Sequence, residues 1–144
     1  DFGASVVSRF SRLPGSFRFF AGGDRSVRGF SYNELSPVQR IESTTGGEPQ
    51  YIKAGGKHLL TGTVELVRDV RRSFAVAAFV DGGNAFETFK GLEVAASAGV
   101  GVRWRLPAVT VGIDVAQAFR VPPDLRAAGL DPGPRLHVNF SPQY

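Results

Sequence analysis

The feature that most restricts the fold of this chain is an apolar–polar alternation with a period of two. From Phe74 to Val80 the even positions are all apolar, while the odd row leads to Asp81. Because successive side chains of a strand point to opposite faces, this period predicts β-strands. Eighteen glycines and nine prolines recur through the 144 residues and interrupt any helical stripe. The sequence therefore predicts an all-β, antiparallel meander.

Five segments show this alternation clearly, and a weaker one lies near the start of the chain. The predicted strands cover about residues 3–10, 58–69, 74–84, 92–106, 109–119 and 135–144. About residues 18–56 lack clear alternation and are predicted to form one long loop. A loop of this length is usually functional or disordered, and its aromatic residues and paired glycines favour a packed one. All 144 residues are interpreted as a single partial barrel domain.

The composition of the two faces indicates which of them points inward. The apolar rows are rich in Ala and Val, whereas the opposite rows combine Gly, Arg, Asp and Glu. A transmembrane barrel turns apolar residues to lipid and polar residues to its lumen. The segments are also near the ~9–11 residues of a spanning strand, and short connections alternate with long ones. These features favour a transmembrane barrel over its alternative, a soluble sandwich or barrel.

Composition excludes several other classes of protein. The absence of Cys removes disulfide frameworks, zinc sites and thiol catalysis. No apolar stretch approaches the ~20 residues of a spanning helix, and no signal peptide opens the chain. The 17 Lys and Arg residues exceed the 13 Asp and Glu residues, but they are spread along the chain, so no nucleic-acid partner is expected. The start at Asp1 without any Met indicates a mature or excised piece.

A ten-residue run in the predicted loop, Ala-Gly-Gly-Asp-Arg-Ser-Val-Arg-Gly-Phe, resembles the signature loop of the BamA/TamA superfamily of outer-membrane assembly barrels. In that family the Val/Ile-Arg-Gly-Phe/Tyr motif lies on a long extracellular loop that folds back into the lumen. The glycine pair before the motif permits positive φ angles. The motif residues and the supporting glycines are Val27, Arg28, Gly29, Phe30, Gly22 and Gly23.

Further segments resemble the family in the expected order. The run 79–83, Phe-Val-Asp-Gly-Gly, resembles a Phe-x-Asp-x-Gly strand motif, and 63–65 resembles the acidic strand before it. The run 99–104 with Pro107 resembles the third-last strand and its turn. The spacing around Arg18 and Asp24 looks closest to the TamA branch. The alternating, aromatic end looks like an outer-membrane sorting strand, formed by Leu136, Val138, Phe140, Pro142 and Tyr144.

The resemblance implies that Arg28 contacts Glu65 and Asp81, with Phe79 and Gly83 in support. Both acids lie on predicted lumen-facing rows of neighbouring strands. A guanidinium offers a planar fork of donors that matches a carboxylate bidentately. The alternative is three unrelated charges solvated by a wet lumen.

The resemblance also implies a function. It predicts a non-enzymatic insertase or translocase that assembles or exports proteins at the bacterial outer membrane, with no cofactor and no metal. Its expected partners are the lipid bilayer and client outer-membrane proteins. The family barrel is larger than this chain, which supplies only the last five or six strands; the missing strands belong to a longer parent or to further copies in a homo-oligomer. The alternative function is a passive porin-like channel or the membrane anchor of a larger protein.

The last predicted strand is expected to be a weak seam. Pro142 has no N–H to donate, and proline is confined to strand edges and ends for that reason. The free edge of this strand could pair with an incoming client strand. The alternative is that Pro142 merely ends the strand.

Other polar groups support weaker interpretations. Asp24 and its neighbours after the glycine pair could form a phosphate nest, although no P-loop Lys follows. His58 and His137 could belong to a hydrolase triad, although no Gly-x-Ser-x-Gly elbow exists. Polar filler of the lumen or interface is the simpler role for both histidines.

Two further pairs on the last strands are open to more than one interpretation. Trp104 and Tyr144 could stack on a ligand, but an aromatic girdle at the membrane interface explains them more simply. Arg103 and Arg105 could select anions in a pore. Balance of lumen acids such as Asp114 is the preferred role for these arginines.

Overall fold

The structure is a computed structural model that describes residues 2–4, 18–24, 26–41, 50–88 and 93–142. Among these residues, six strands form one antiparallel sheet and two form a separate ribbon. The elements in chain order are β1 (Phe2–Ala4), β2 (Val38–Ile41), β3 (Gln50–Lys53), β4 (His58–Arg71), β5 (Phe74–Phe86), β6 (Ala95–Arg105), β7 (Val109–Arg120), α1 (Pro123–Ala127) and β8 (Arg135–Pro142). The prediction of an all-β, antiparallel chain is confirmed.

The large sheet is a meander in the order β1-β4-β5-β6-β7-β8. Short turns at 72–73 and 106–108 join β4 to β5 and β6 to β7 at one end of the sheet. Longer connections lie at the opposite end. Within the described residues the sheet stays open, with β1 and β8 at its two edges.

The strand limits differ from the predicted ones by a few residues. The predicted strands 58–69 and 74–84 each run two residues further, whereas the predicted strand 92–106 begins at Ala95. Of the first predicted strand, only residues 3 and 4 belong to β1, because residues 5–10 lie outside the described residues. The same holds for Tyr144 at the end of the last strand.

The region 18–56, predicted as one loop, contains the β2–β3 ribbon, which the sequence did not indicate. Its four antiparallel pairs run from Val38–Lys53 to Ile41–Gln50. Tyr51, Ile52 and Lys53 are all exposed, so neither face of β3 is buried. Alternation arises only where one face is buried, and this ribbon therefore leaves no period of two in the sequence.

The two faces of the large sheet have the inside-out character predicted from composition. Val64 and Val100, on the apolar rows, are 70% and 63% exposed. Asp81 and Asp114, on the polar rows, are fully buried. We call these the outer and the inner face. A sheet that buries carboxylates and exposes valines has the pattern of a membrane barrel wall, with the outer face toward lipid.

The inner face is covered by the loop 18–37 and by the connection between β7 and β8. That connection contains α1, a helix of five residues that the sequence did not predict. Leu125 of α1 is buried in a hydrophobic cluster with four residues of the loop and one of β6, namely Ala21, Val27, Phe30, Leu35 and Ala95. No helix in the described part of the chain is long and apolar enough to cross a membrane.

Candidate functional site

Backbone hydrogen bonds close the loop at its base. Phe19 and Gly56 form one antiparallel bridge, and Ala21 and Leu35 form another. In each bridge both N–H groups donate, with N–O distances of 2.7–2.9 Å. Arg18 adds a bond from Nη1 to the carbonyl oxygen of Ala54 at 2.7 Å. The Ala21–Leu35 bridge thus brings the two ends of the loop together, and the tip of the loop reaches the inner face of the sheet.

Arg28 at the tip of the loop binds Asp81 of β5 through a bidentate fork. Nε and Nη2 donate to the two carboxylate oxygens, each at 2.9 Å. The backbone N–H of Arg28 donates to the same carboxylate at 3.1 Å, and the Thr63 hydroxyl donates to it at 2.9 Å. Asp81 thus accepts four hydrogen bonds, which a fully buried carboxylate needs in place of water.

The remaining guanidinium nitrogen of Arg28 contacts two further acids. Nη1 lies 3.1 Å from Glu65 of β4 and 3.3 Å from Asp114 of β7. Arg103 of β6 contacts the same two acids, donating to Asp114 and, at 2.9 Å, to Glu65. Two arginines and three carboxylates therefore form one connected network, which we call the Arg28 cluster: Arg28, Arg103, Glu65, Asp81 and Asp114.

Two glycines of β6 create the space in which the cluster lies. A Cβ at Gly99 would overlap the ring of Phe79, with Cε2 at 2.8 Å. A Cβ at Gly101 would overlap the carboxylate of Asp114, with Cγ at 2.9 Å. The guanidinium of Arg28 lies 3.2 Å above the centroid of the Phe79 ring, a cation–π contact. Glycine at both positions lets an aromatic ring and a carboxylate lie flat on the sheet beneath the arginine.

The cluster is shielded from solvent, and this sets its electrostatics. Only 7% of Arg28 is exposed, while Glu65 keeps 27% of its side chain accessible. Burial by itself would lower the pKa of the Arg28 guanidinium, but its hydrogen bonds and charge attraction to Asp81 and Glu65 outweigh burial and raise that pKa. Arg28 therefore remains a cation at any working pH, and its charge holds three strands to the loop.

The motif residues next to Arg28 fix the loop by close packing. A Cβ at Gly29 would overlap Ser97 and lie 2.7 Å from the backbone nitrogen of Ala118, so the tip touches the walls of β6 and β7. The N–H of Gly29 also donates to the Ser97 hydroxyl at 3.0 Å. Val27 and Phe30 on either side are fully buried in the hydrophobic cluster.

The supporting glycines form the turn that leads into the motif. Gly22 and Gly23 have φ angles of 104° and 97°, which other residues rarely adopt. The N–H of Gly22 donates to the Ser26 hydroxyl, and that of Gly23 donates to the carbonyl oxygen of Phe30 at 3.0 Å. Because these donors are already used inside the loop, they do not form an open phosphate nest.

His137 links the loop to the last strand. Its Nε2 lies 2.6 Å from the carbonyl oxygen of Arg28, and its Nδ1 contacts the carboxylate of Asp24. Both ring nitrogens therefore face acceptors, and neither is available to a serine hydroxyl as a hydrolase triad would require. A second link joins Arg135 to Glu34 at 3.5 Å.

The structure brings together most of the residues that the sequence singled out, but not all of them. Arg28, Glu65, Asp81 and Phe79 are in direct contact. Gly83 lies further along β5, where a Cβ would overlap the carbonyl oxygen of Leu60. The residues of the predicted seam lie on the outer row of β8, away from the cluster: Leu136, Val138 and Phe140 are exposed, and Pro142 pairs with Val109.

Three participants were not assigned to the loop contact from the sequence: Ser97, Asp114 and His137. From the sequence, Asp114 and Arg103 are predicted only to balance each other's charge in the lumen, and His137 to be polar filler. The register offers a signal in retrospect, because Gly101 pairs with Asp114 and Asp114 pairs with His137. Gly101, Asp114 and His137 therefore lie in one row of the inner face. The neighbouring row contains Phe79.

The remaining polar and aromatic residues lie near the short-turn end of the sheet. Arg105 forms an ion pair with Asp69 at 2.7 Å and is not part of the Arg28 cluster. Trp104 stacks on Phe74 with ring centroids 5.9 Å apart, and both are about half exposed on the outer face. Among the described residues, no group of three or more acidic or histidine side chains is placed to hold a metal ion.

The chain is similar to a known protein family over most of its length. A family model described as the Omp85 superfamily domain matches residues 2–139. The match contains the loop, the whole Arg28 cluster and all of β4–β7. It supports the predicted fold class, in which antiparallel barrel strands carry a long loop on the lumen side.

Proposed function

The chain belongs to the Omp85 superfamily, and on that premise we propose that it forms the last strands and the lumen loop of an outer-membrane insertase or translocase. The superfamily is associated with the outer membrane and with protein insertion and translocation there. Client outer-membrane proteins and the lipid bilayer are the proposed partners. The strands that complete the barrel come from a longer parent chain or from further copies.

The observation that carries the proposal is the attachment of the loop to the wall beside the last strand. Arg28 binds acids on β4, β5 and β7, and its carbonyl oxygen binds His137 on β8. A loop held in this way supports the inner face of the final strands from within. It leaves the outer edge of β8 free for pairing.

The free edge of β8 is the proposed site of client pairing. β8 pairs on one side with β7 over eight residues and has no neighbour on its other side among the described strands. An unpaired row of N–H and C=O groups is a template for strand addition. Pro142 lies at the end of β8 and removes one donor there, at about 0.5–1.5 kcal/mol net for a lost ladder bond. A seam that is weak at this end can open to admit a client strand.

A passive channel or a membrane anchor is the alternative function. The loop covers the inner face of β5 to β7, where Phe79, Asp81 and Ser97 are buried. A wide channel needs an open lumen along such a face, so this arrangement favours an assembly role. Single-channel recordings of the full-length protein provide the comparison: large and stable openings would favour the channel.

A seam crosslink tests the proposal directly. Cysteine at Val138 is paired with cysteine at the facing residue of the strand that closes the barrel, in the full-length protein. The matched control places the second cysteine at Ile113, which pairs with Val138 inside the sheet. Both proteins are oxidised in proteoliposomes, and folding of an eight-stranded client barrel is followed by its heat-modifiable electrophoretic mobility. We expect only the seam crosslink to stop client folding; equal activity of the two proteins would contradict a gating seam.

We further propose that the protein lies nearest the TamA branch. Support comes from the Arg18-Phe19-Phe20 opening and from the Asp24-Arg25-Ser26 spacing. A TamA-like protein should not restore growth to cells depleted of BamA, whereas a BamA-like protein should. Complementation by the full-length protein separates the two branches.

A further inference from the structure

Three arginines on and beside β4 differ from Arg103 and Arg105 of β6 in having no acidic partner among the described residues. Arg103 and Arg105, on the inner face, both form ion pairs with carboxylates. No ion pair joins the arginines of this group to any described residue, and all three are exposed: Arg68, Arg71 and Arg72.

The strand register places two of these arginines on the outer face. Arg68 pairs with Val76, and Arg71 pairs with Phe74. Directly paired residues of antiparallel strands project from the same face, and both of these partners are exposed on the apolar side. Arg72 lies in the adjoining turn between β4 and β5.

The residues beside the arginines on this face are apolar across the whole sheet. The row of Arg68 continues through Val76, Val102, Ile113 and Val138, and the row of Arg71 continues through Phe74, Trp104, Val111 and Phe140. No carboxylate lies in either row. The only acid of β4 near the turn, Asp69, pairs with Ala75 of the inner face and binds Arg105.

We propose that Arg68, Arg71 and Arg72 bind the phosphate headgroup of an anionic phospholipid whose acyl chains lie along the neighbouring apolar rows. The occupant follows from the two adjacent surfaces: three unpaired cations need an anion, and the apolar rows need hydrocarbon. A free anion or an acidic peptide would pair with the cations but would leave the apolar rows uncovered. The stacked Phe74–Trp104 pair stands where aromatic rings mark the membrane interface.

The positions of the arginines along β4 match a lipid headgroup at the membrane interface, at the end of the barrel where the turns are short. Arg68 lies three residues from Arg71, which is roughly 10 Å along a strand. A long arginine side chain can extend toward the interface while its aliphatic stem stays in the apolar layer. Short turns face the periplasm in outer-membrane barrels, so the lipid is one of the periplasmic leaflet. Arginine also suits phosphate because its fork donates two parallel hydrogen bonds.

This site goes beyond the proposed function, and lipid selectivity tests it without any client. The full-length protein is reconstituted in phosphatidylcholine vesicles that contain spin-labelled phosphatidylglycerol or spin-labelled phosphatidylcholine. Electron paramagnetic resonance gives the fraction of each lipid immobilised by the protein. We expect the wild type to prefer phosphatidylglycerol, and the preference to fall by up to about fivefold for each arginine replaced by glutamine.

The controls separate the site from general electrostatics. Arg105→Gln removes the same charge at the same end of the sheet, but from the inner face, and should keep the preference. The triple variant Arg68→Gln/Arg71→Gln/Arg72→Gln should lose it, and Arg71→Gln alone provides a milder variant if the triple one folds poorly. An unchanged preference in these variants, or an equal loss in Arg105→Gln, would overturn the proposal. Displacement of the lipid by inorganic phosphate beyond that by chloride at equal ionic strength would also overturn it, because it would indicate a free-anion site.

Discussion

His137 on the last strand lies with its Nε2 2.6 Å from the carbonyl oxygen of Arg28, the residue whose side chain binds the acids of three other strands. The carbonyl can only accept, so the imidazole donates through Nε2. One residue of the loop thus contacts the middle of the sheet through its side chain and the edge strand through its backbone. Movement of β8 and movement of the loop are expected to be coupled through this pair.

Loss of the Arg28 side chain should release the loop. In Arg28→Ala the buried Asp81 and Asp114 lose their shared cation, and an uncompensated buried charge costs about 3–5 kcal/mol. We expect a lower urea midpoint, rapid proteolysis of the loop and impaired client assembly. Arg28→Lys should give an intermediate result, because an ammonium keeps the charge but lacks the fork. Arg105→Ala, outside the cluster, is the control; equal protease resistance of all these proteins would contradict the role of Arg28.

The two acids implied by the family resemblance should differ in their importance. Asp81 is fully buried and accepts four hydrogen bonds, whereas Glu65 accepts one each from Arg28 and Arg103 and keeps partial exposure. Asp81→Asn should therefore lower the free energy of unfolding by about 3–5 kcal/mol, and Glu65→Gln by only about 1 kcal/mol. Asp81→Lys and Glu65→Lys should each be at least as damaging as Arg28→Ala. Urea titrations in detergent or vesicles measure the free energy of unfolding of each variant. A larger loss for Glu65→Gln than for Asp81→Asn would contradict this ranking.

Gly29 should tolerate no side chain, although it lies in a loop. In Gly29→Ala the new methyl group meets Ser97 and the backbone of Ala118, so the tip must withdraw from the wall. The matched control is Gly62→Ala on β4, where a Cβ meets nothing within 4 Å. We expect faster proteolysis of the loop and weaker client assembly for the first variant only. Identical behaviour of the two proteins would show that the tip is not in contact with β6 and β7.

Replacement of His137 should uncouple the loop from the last strand while leaving the Arg28 cluster intact. Spin labels at Tyr32 in the loop and at Ser141 on β8 report their separation, and both positions are exposed. We expect His137→Ala to broaden the distance distribution measured by double electron–electron resonance. Leu136→Ala, a neighbour on the outer face, should leave the distribution narrow. If His137→Ala gives the wild-type distribution, the loop and β8 are held together by other contacts.

Adjacent positions on β4 should report opposite environments. Leu66 is on the outer face and Val67 on the inner face, since they pair with Ala78 and Ala77. Both are exposed enough to accept a spin label without overlap, unlike Gly101, which is covered by the Asp114 carboxylate. In vesicles, a label at Leu66 should be accessible to oxygen in the hydrocarbon and a label at Val67 to a water-soluble nickel chelate. The reverse pattern would contradict the assignment of the faces.

The sequence determined the strands of the large sheet and their two faces. Alternation at i and i+2 is a local property of the chain, and burial of one face imposes it on each strand separately, as in 74–80. The exposed ribbon formed by β2 and β3 escaped prediction because neither face of β3 is buried. Of α1, only Leu125 is buried, and five residues are too few for a helical period to be visible.

The composition of the Arg28 cluster was decided only by the tertiary structure. The family resemblance singled out Arg28, Glu65 and Asp81, but no pattern within the chain assigned Asp114 or His137 to the loop. Asp114 lies 86 residues from Arg28 in sequence and His137 lies 109 residues away. Their positions depend on the register of four strand pairs and on the path by which the loop folds back. Local periodicity specifies which face a side chain occupies, whereas its neighbours on that face depend on contacts between distant segments.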